Sequence, residues 1–367
     1  MIFSVLHTPI TMKEFYKNKK ILVTGHTGFK GAWLSQILLN WGAEVIGISL
    51  RPTTTPNMFG AIGLESRVTN YFTDIDDLEA MKKIFNKEKP EIVFHLAAQP
   101  IVRRSYDDPI ETFSTNCMGT AHILEAMREI KSVKSAVIIT TDKVYENKEW
   151  HYPYRESDPL GGYDPYSASK AAADLITSSY MQSFFNPEDF GTKHNTLVAI
   201  ARAGNVVGGG DWADYRLIPD VIRAVYHEGT HVEIRNPDAI RPWQHVLEPL
   251  SGYLMLAKRL YEKEKHLSQA WNFGPHNDSF VSVENLLTET KKAMPSFVYI
   301  VKPDMTGKHE AELLKLDINK TAHHLSWKPK VNFEQTIALT FDWYKNYYEK
   351  KEDVVVFTNK QINAFFR

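Results

Sequence analysis

The sequence predicts an α/β protein whose main body is a doubly wound parallel sheet, followed by a smaller α/β part. Two features predict this fold class. Short apolar runs alternate with amphipathic stretches through the first two-thirds of the chain, and a glycine-rich turn joins the first apolar run to the first helical stretch. Such alternation is typical of strand–helix–strand units, which place parallel strands side by side and helices on both faces of the sheet.

The first strand is expected at residues 20–25, where a continuously apolar run ends in glycine. Runs of this kind are typical of parallel strands that are buried on both faces. The same pattern predicts further strands at residues 44–50, 91–98, 135–142 and 196–203. Helical periodicity predicts helices at residues 29–41, 76–87, 109–130 and 166–185, and later at 247–264, 283–294 and from 332 onward.

The glycine-rich turn at residues 25–31 reads GHTGFKG and lies between the first strand and the first helix. Glycine permits positive φ and lets the backbone approach a diphosphate closely. The N-terminus of the following helix adds unpaired N–H groups and the positive end of the helix dipole. We therefore expect a dinucleotide to bind at this turn.

The domain organisation follows from the turn and from a change in pattern after about Gly208. Beyond that point the segments become shorter and richer in Pro, Trp, His and Arg. We expect an N-terminal extension (residues 1–18), a Rossmann-type dinucleotide-binding domain (19–208) and a mainly substrate-binding part (209–367). Some segments of the last part are expected to return to the main sheet.

Composition excludes several classes of function. The 367-residue chain has a formal net charge of −1, which gives no general attraction to nucleic acid or anionic lipid. No apolar run is long enough to span a membrane, and the single cysteine, Cys117, excludes an internal disulfide framework. No group of His, Cys, Asp and Glu has the spacing of a metal site. We expect a cytoplasmic protein without a metal.

The candidate catalytic residues lie in two motifs, one at the start of a predicted helix and one at the end of a predicted strand. Tyr166 and Lys170 open a helix, and their i, i+4 spacing places both on one helical face. A nearby ammonium lowers the pKa of a phenol, so the tyrosine is expected to act as a base near neutral pH. Thr141, Asp142 and Lys143 end the strand before it, where open α/β sheets bind ligands. The structural alternative for Asp142 is that it caps the next turn.

With these motifs the chain resembles extended short-chain dehydrogenases/reductases and, within them, the nucleotide-sugar 4,6-dehydratases, from Lys19 to the C-terminus. The matching segments are GHTGFKG (25–31), HLAAQ (95–99), Asn116 with GT (119–120), TDKVY (141–145), DPYSASK (164–170), RAGNV (202–206), GGGDW (208–212) and RPWQHV (241–246). The Thr-Asp-Lys triplet at 141–143 is the most discriminating. It resembles enzymes that act on CDP-glucose, whereas those that act on dTDP-glucose carry Thr-Asp-Glu.

The resemblance implies NAD as the cofactor. Its expected contacts are Gly25, Thr27, Gly28, Phe29, Gly31, Arg51, Asp74, Ile75, Leu96, Ala97, Ala98, Gln99, Asn116, Thr140, Tyr166, Lys170 and Arg202. Asp74 is expected on the adenine amine. The second predicted strand ends in Arg51 and not in an acid, so the residue either pairs with the 2′-phosphate of NADP or lies in solvent, and the sequence leaves both open.

The resemblance also implies a reaction: dehydration of CDP-D-glucose to CDP-4-keto-6-deoxy-D-glucose, a step toward deoxysugars of surface polysaccharide such as lipopolysaccharide O-antigen. Tyr166, aided by Lys170 and Thr141, removes the C4 hydroxyl proton while hydride passes to NAD. Asp142 protonates the C6 hydroxyl as water leaves across C5 and C6, and hydride then returns to C6. The group that takes the C5 proton stays open, since Lys143 stands where dTDP-type enzymes have glutamate.

The nucleotide end of the substrate needs cations and amides, because it carries a diphosphate. The expected substrate-binding residues are Arg103, Asn205, Gly210, Asp211, Trp212, Arg216, Arg235, Arg241 and His245. Trp212 packs either on a base or in the core, and for His245 a structural hydrogen bond is the alternative.

Other functions compete with this interpretation. One is a 4,6-dehydratase or 4-epimerase that acts on UDP-, GDP- or dTDP-glucose. Another is a non-catalytic dinucleotide-binding protein, which the presence of both Tyr166 and Lys170 disfavours. A homodimer or homotetramer is expected, with the helices around Cys117 and residues 166–185 pairing between subunits as in similar proteins.

Overall fold

The computed structural model describes residues 11–226, 231–276, 279–302 and 313–367. The strands in this part of the chain are β1 (Lys20–Thr24), β2 (Glu44–Ser49), β3 (Thr69–Phe72), β4 (Ile92–His95), β5 (Ser135–Ile139), β6 (Leu197–Ala203), β7 (Val206–Val207), β8 (Val232–Ile234), β9 (Ile240–Pro242), β10 (Gln244–His245), β11 (Ala270–Phe273), β12 (Phe280–Ser282) and β13 (Tyr299–Val301).

The helices of the described residues surround these strands. They are α1 (Met12–Tyr16), α2 (Phe29–Asn40), α3 (Met58–Ala61), α4 (Leu78–Glu88), α5 (Val102–Asp107), α6 (Pro109–Phe113), α7 (Gly119–Arg128), α8 (Pro165–Ser183), α9 (Leu217–Tyr226), α10 (Leu247–Tyr261), α11 (Val283–Ala293), α12 (Asn319–Leu325), α13 (Phe333–Glu349) and α14 (Val354–Phe365).

A seven-stranded sheet forms the centre of the molecule, in the order β11-β6-β5-β4-β1-β2-β3. All of its strand pairs are parallel, with Leu22 of β1 beside Ile46 of β2 and Val93 of β4. Strand order reverses next to β1, which is where doubly wound sheets open a crevice for ligands. The fold class predicted from the sequence is thereby confirmed.

Both faces of the sheet are covered, as the apolar strands predict. On β1, Ile21 and Val23 join a core cluster with α2 and α10, whereas Leu22 joins a second cluster with α4 and α7. A strand buried on both faces has no polar side, which explains why its sequence reads as a continuous apolar run.

Two local differences separate the structure from the sequence expectation. The edge strand β3 was not predicted, because its four residues are half-buried or exposed and lack an apolar run. The helix expected at 109–130 is divided into α6, a π-helical turn (Ser114–Met118) and α7. Gly119 at the start of α7 packs closely: a Cβ there would lie 2.4 Å from Cδ1 of Ile75.

The C-terminal part builds three two-stranded sheets, β7–β10, β8–β13 and β9–β12. Its strand β11 pairs with β6 at the edge of the main sheet. At the other end of the chain, residues 1–10 of the expected extension lie outside the described residues. In α1, which follows them, the Tyr16 hydroxyl donates a 2.6 Å hydrogen bond to the Leu254 carbonyl and is fully buried.

Candidate active site

Two adjoining clefts open at the carboxyl ends of the central strands. The glycine-turn cleft is lined by residues 25, 27–31, 49–54, 73–75 and 96–101, among others, and has a volume of about 390 Å³. The tyrosine cleft is lined by Tyr166 and by residues 140–143, 203–208 and 233–236, among others, with a volume of about 360 Å³. Each is large enough for much of a nucleotide. They share the lining residues Phe29, Lys30, Pro100, Ile101, Asp211 and Arg216.

The glycine turn packs so closely against neighbouring backbone that a side chain does not fit at two of its positions. Gly25 has a φ of +72°, and a Cβ on it would lie 2.7 Å from the Ala97 backbone nitrogen. A Cβ on Gly31 would lie 2.1 Å from the Gly25 carbonyl oxygen. Gly28 is exposed and is the N-cap of α2, with no side chain capping the helix. The turn therefore presents uncapped N–H groups to the cleft, as a diphosphate site requires.

The far end of this cleft is the place expected for adenosine. Thr27 Oγ1 donates a 2.9 Å hydrogen bond to the Leu50 carbonyl and so ties the turn to the end of β2. The Arg51 guanidinium lies over the Phe72 ring, 4.1 Å from its centroid, and pairs with Glu65 at 3.3 Å. The remaining expected dinucleotide contacts on this cleft are Asp74, Ile75, Leu96, Ala97, Ala98 and Gln99.

The buried carboxyl of Asp142 stands at the floor of the tyrosine cleft and is 1% exposed. Its Oδ1 accepts a 3.0 Å hydrogen bond from Thr141 Oγ1, while Oδ2 has no hydrogen-bond partner in the described part of the chain. Burial raises the pKa of Asp142, although the cations Lys143, Arg241 and Lys30 oppose the rise. A carboxyl with a raised pKa and an unpartnered oxygen is suited to hold and deliver a proton.

The Tyr166 phenol lies beside Thr141 in the same cleft, and its surroundings correct one expectation. The pKa of Tyr166 is raised to about 12, mainly by burial and to a smaller extent by the Asp142 carboxyl. A hydrogen bond with Thr141 and the charge of Arg216 act in the opposite direction. The expected lowering by Lys170 is therefore wrong for the ligand-free protein, because desolvation of the phenolate outweighs the nearby cations.

Lys170 lies one helical turn beyond Tyr166 and is almost completely buried. Its Nζ donates a 2.9 Å hydrogen bond to the Ile139 carbonyl at the end of β5. The pKa of Lys170 is lowered to about 7, mainly by burial and also by the charge of Lys30, while Asp174 opposes the shift. The side chain does not line either cleft in the ligand-free protein.

The cations expected at the nucleotide end do come together. The tyrosine cleft is lined by Arg103, Lys143, Arg216, Arg235 and Arg241, and also by Asn205. Arg216 donates to Asp211 at 2.7 Å, which fixes the guanidinium at the junction of the two clefts. Several guanidinium groups around one concavity favour a diphosphate.

Two expected ligand contacts lie elsewhere. Arg202 is 3% exposed and lines neither cleft, because its guanidinium is held by both oxygens of Asp174, each at 2.8 Å, and by the Tyr145 hydroxyl at 2.9 Å. His245 is fully buried with its ring edge-on to Trp33, and burial lowers its pKa to about 3. Neither role is supported, since the side chains are used inside the protein.

Four further expected residues lie in the core or on the cleft walls. Asn116 is 1% exposed, accepts from the Gln99 backbone N–H at 2.8 Å and donates to Ser169. Trp212 touches the glycine-turn cleft, but its ring packs against Trp343 and Tyr344, so the core alternative describes it. Gly210 and Thr140 line the glycine-turn cleft and the tyrosine cleft, respectively.

Sequence reasoning missed several lining residues. Lys30, Tyr106 and Tyr215 line the tyrosine cleft, and Lys30 and Arg104 line the glycine-turn cleft. Lys30 offered a signal, because a lysine in the first turn of a helix opposes the helix dipole and needs an explanation. The tyrosines offered none, since they reach the cleft from loops and short helices whose positions depend on packing.

Within the described ranges, no three His, Cys, Asp or Glu side chains are grouped so as to hold a metal ion. No helix described by the structure combines the length and the apolar character needed to cross a bilayer.

A doubly wound sheet with a glycine turn beside a tyrosine–lysine helix defines a dinucleotide-binding fold of the short-chain dehydrogenase type. The chain belongs to the GDP-mannose 4,6 dehydratase family, whose model matches residues 22–340. It is 44% identical over 353 residues to CDP-glucose 4,6-dehydratase of Salmonella typhimurium, covering 96% of this chain and 98% of the relative. The resemblance inferred from the motifs is thereby confirmed.

More distant relatives share most of the chain. A dTDP-glucose 4,6-dehydratase of Shigella flexneri is 29% identical, with 89% of this chain and 92% of the relative covered. Among solved structures, DesIV, a dTDP-glucose 4,6-dehydratase from Streptomyces venezuelae with NAD and TYD bound, superimposes with a TM-score of 0.76 at 22% identity. That comparison covers 91% of this chain and 99% of DesIV, and it supports the fold.

Proposed function

We propose that this protein catalyses the NAD-dependent dehydration of CDP-D-glucose to CDP-4-keto-6-deoxy-D-glucose. The observation that carries the proposal is the arrangement of one cleft: the Tyr166 phenol and the Asp142 carboxyl both lie beside the Thr141 hydroxyl. A dehydratase needs a base and an acid on the same sugar, whereas a 4-epimerase needs no acid at C6. The 44% identical relative named CDP-glucose 4,6-dehydratase supports the choice of substrate.

The glycine-turn cleft fits NAD by shape and by donor chemistry. The close-packed glycines and the uncapped start of α2 suit a diphosphate, and Asp74 lines the end expected for adenine. When bound, the oxidised dinucleotide would supply a hydride acceptor and a positive charge, and such a charge near Tyr166 would lower the pKa of the phenol from the value of about 12 that it has in the ligand-free protein. Arg51 is exposed and pairs with Glu65, so the alternative in which this side chain lies in solvent describes it in the ligand-free protein.

The chain's own groups perform the proton transfers. Tyr166 takes the C4 hydroxyl proton, with Thr141 orienting the phenol and Lys170 holding the nearby ribose. Oxidation at C4 acidifies the hydrogen at C5. Asp142 then gives its proton to the departing C6 hydroxyl, which leaves as water. Hydride would return to C6 and the abstracted proton to C5, which gives the 4-keto-6-deoxy sugar and leaves the cofactor in its starting oxidation state.

The group that takes the C5 proton is proposed among three side chains. Lys143 lines the cleft, and among the described residues its ammonium forms no hydrogen bond or ion pair. A neutral lysine acts as a base, and a charged one stabilises the enolate that forms at C4. Asp142 after it has lost its proton is a second candidate. Tyr145 is disfavoured, since its hydroxyl is buried between Asn272 and Arg202.

The nucleotide is proposed to lie across the outer tyrosine cleft. Arg103, Arg216, Arg235 and Arg241 are the diphosphate-binding candidates, with Asn205 on the same wall. A nucleotide-sugar substrate and a chain whose single cysteine, Cys117, forms no internal disulfide both favour the cytoplasm, and the product is proposed to feed the synthesis of deoxysugars for surface polysaccharide.

A second copy of the chain is the proposed partner. Large apolar side chains remain exposed on α6, on the turn that follows it, on α8 and directly after α8, as expected for helices that pair between subunits. They are Ile110 (77%), Phe113 (38%), Met118 (51%), Leu175 (58%) and Phe184 (46%). Size-exclusion chromatography with light scattering tests this proposal, and a strictly monomeric species would contradict it.

The decisive test is a substrate panel. Purified protein is incubated with CDP-, UDP-, GDP- and dTDP-glucose, with and without added NAD, and 4-keto-6-deoxy product is measured. We expect product from CDP-glucose. Product from another nucleotide sugar alone would replace the substrate, conversion to the galactose epimer would indicate a 4-epimerase, and no reaction with any of them would remove the dehydratase proposal.

A further inference from the structure

Lys30 is a cation at the junction of the two clefts that the proposed reaction leaves unused. It is the second residue of α2, directly after Phe29, and it lines both the glycine-turn cleft and the tyrosine cleft. Cations are unfavourable in the first turn of a helix, because the helix dipole is positive there. A lysine at this position therefore opposes a local electrostatic preference.

The charge of Lys30 is not neutralised by a neighbouring side chain. Its ammonium forms no hydrogen bond or ion pair with any other described residue, although the Asp142 carboxylate acts on it from a distance. The other cations lining the glycine-turn cleft differ in this respect: Arg51 pairs with Glu65, Arg104 with Glu111, and Arg216 with Asp211. Lys30 thus supplies the uncompensated positive charge of that cleft within the described part of the chain.

Its neighbours place this charge near the reaction centre. Lys30 interacts electrostatically with Asp142, Lys170 and Arg216, which are the groups around Tyr166. Hydride passes between the sugar held at Tyr166 and the redox-active ring of the dinucleotide held at the glycine turn. A redox-active ring that extends from the glycine-turn cleft toward the sugar in the tyrosine cleft therefore passes close to Lys30.

The two redox states of that ring differ in charge. The oxidised nicotinamide carries one positive charge, whereas the ring is neutral after it has received hydride. A fixed cation nearby therefore destabilises the oxidised form relative to the reduced form.

We propose that the Lys30 ammonium raises the reduction potential of the bound nicotinamide, and so favours the first step, in which the sugar is oxidised at C4. In that step the C4–H bond breaks, its electron pair and hydrogen pass to the ring, and the hydroxyl proton passes to Tyr166. The effect on sugar oxidation rests on the proposed function, whereas the effect on the reduction potential is tested with the dinucleotide alone.

The direct measurement is the ratio of the dissociation constants of NAD⁺ and NADH. A residue that alters the potential must change this ratio, since binding and reduction form one thermodynamic cycle. The protein, freed of co-purified dinucleotide, is titrated at pH 7 with NADH by fluorescence and with NAD⁺ by competition. The pKa of Lys30, lowered to about 8 by burial and by Arg216, leaves the ammonium mostly charged at that pH.

We expect Lys30→Met to reduce the ratio Kd(NAD⁺)/Kd(NADH) about tenfold, which is the scale of one charge acting across a partly buried site. Lys30→Arg retains the charge and is expected to keep the ratio within about twofold of the unaltered protein. Arg51→Met is the matched control, because it removes a cation that lines the glycine-turn cleft only. It is expected to leave the ratio unchanged.

Each result decides the inference. An equal loss of affinity for both dinucleotides in Lys30→Met would make the lysine a diphosphate ligand and overturn the redox role. An unchanged pair of constants would overturn it as well. If the ratio shifts as expected while the substrate panel yields no keto sugar, the role of Lys30 stands and the proposed substrate reaction falls.

Discussion

The adenosine end of the glycine-turn cleft and the buried interior near the reaction centre treat charge in opposite ways. At the adenosine end, Arg51 and Glu65 are 68% and 61% exposed and form a pair that water can replace. Below the reaction centre, Arg202 and Asp174 are 4% and 0% exposed and form a closed, two-bond pair. Around Tyr166 the charges are buried as well, and there the pKa values of Asp142, Tyr166 and Lys170 are displaced.

The comparison shows in which part of this protein charged groups carry an uncompensated cost of desolvation. An exposed ion pair gains little, because water screens it and would solvate either partner alone. Burial removes water from a charged group. Where no partner replaces that water, the charged form is destabilised and the pKa of the group shifts. The reaction centre therefore concentrates groups whose protonation is easily changed, and it does so at the expense of stability.

The largest expected effect is on the base. Tyr166→Phe removes the phenolic oxygen while keeping the ring, and we expect kcat to fall by roughly 10³- to 10⁴-fold. Dinucleotide binding and thermal stability are expected to be retained, since the phenol is not needed for packing. Steady-state assays with CDP-glucose measure the first quantity, and an unchanged kcat would contradict the role of Tyr166.

A smaller effect is expected at the acid. Asp142→Asn keeps the shape of the side chain and removes the transferable proton, so loss of water is expected to slow by about 10²-fold. Oxidation at C4 should change less, and reduced dinucleotide should accumulate in a single turnover, visible at 340 nm. Equal slowing of both steps would mean that Asp142 does not act as the acid.

The contrast between the two ion pairs is tested by stability. Asp174→Asn leaves the Arg202 guanidinium buried without its countercharge, and we expect the free energy of unfolding to fall by about 3–5 kcal/mol. The matched change at the exposed pair, Glu65→Gln, is expected to alter it by less than about 1 kcal/mol. Chemical denaturation of both variants measures these values, and similar losses would invalidate the comparison.

We expect the buried Lys170 ammonium to lower the free energy of unfolding of the protein. Its pKa is lowered from the unfolded value to about 7, so the folded state binds fewer protons between about pH 7 and 10.5. Stability of the unaltered protein should therefore rise with pH across that window. Lys170→Met is expected to be more stable by about 1–3 kcal/mol at pH 7, with the advantage disappearing toward pH 10.5.

Denaturation curves at several pH values test this prediction. The variant is expected to lose activity while it gains stability. A Lys170→Met protein that is less stable at pH 7 would show that the hydrogen bond from Nζ to the Ile139 carbonyl outweighs the desolvation of the ammonium.

The sequence by itself determined the parts of this protein that depend on local spacing. The apolar run of β1, the glycine turn at 25–31 and the i, i+4 pair of Tyr166 and Lys170 are local patterns, and the backbone can satisfy each in few ways. Strand–helix alternation likewise determined the fold class, because a chain of that pattern buries its apolar strands well in a doubly wound sheet.

Only the tertiary structure decided where charges are buried and with what they pair. Arg202 is hydrogen-bonded to Asp174 and Tyr145 in the core, so its guanidinium already has partners within the protein. The rise in the pKa of Tyr166 and the uncompensated position of Lys30 also depend on atoms from distant segments. Desolvation is a property of the assembled surroundings, and no spacing along the chain encodes it directly.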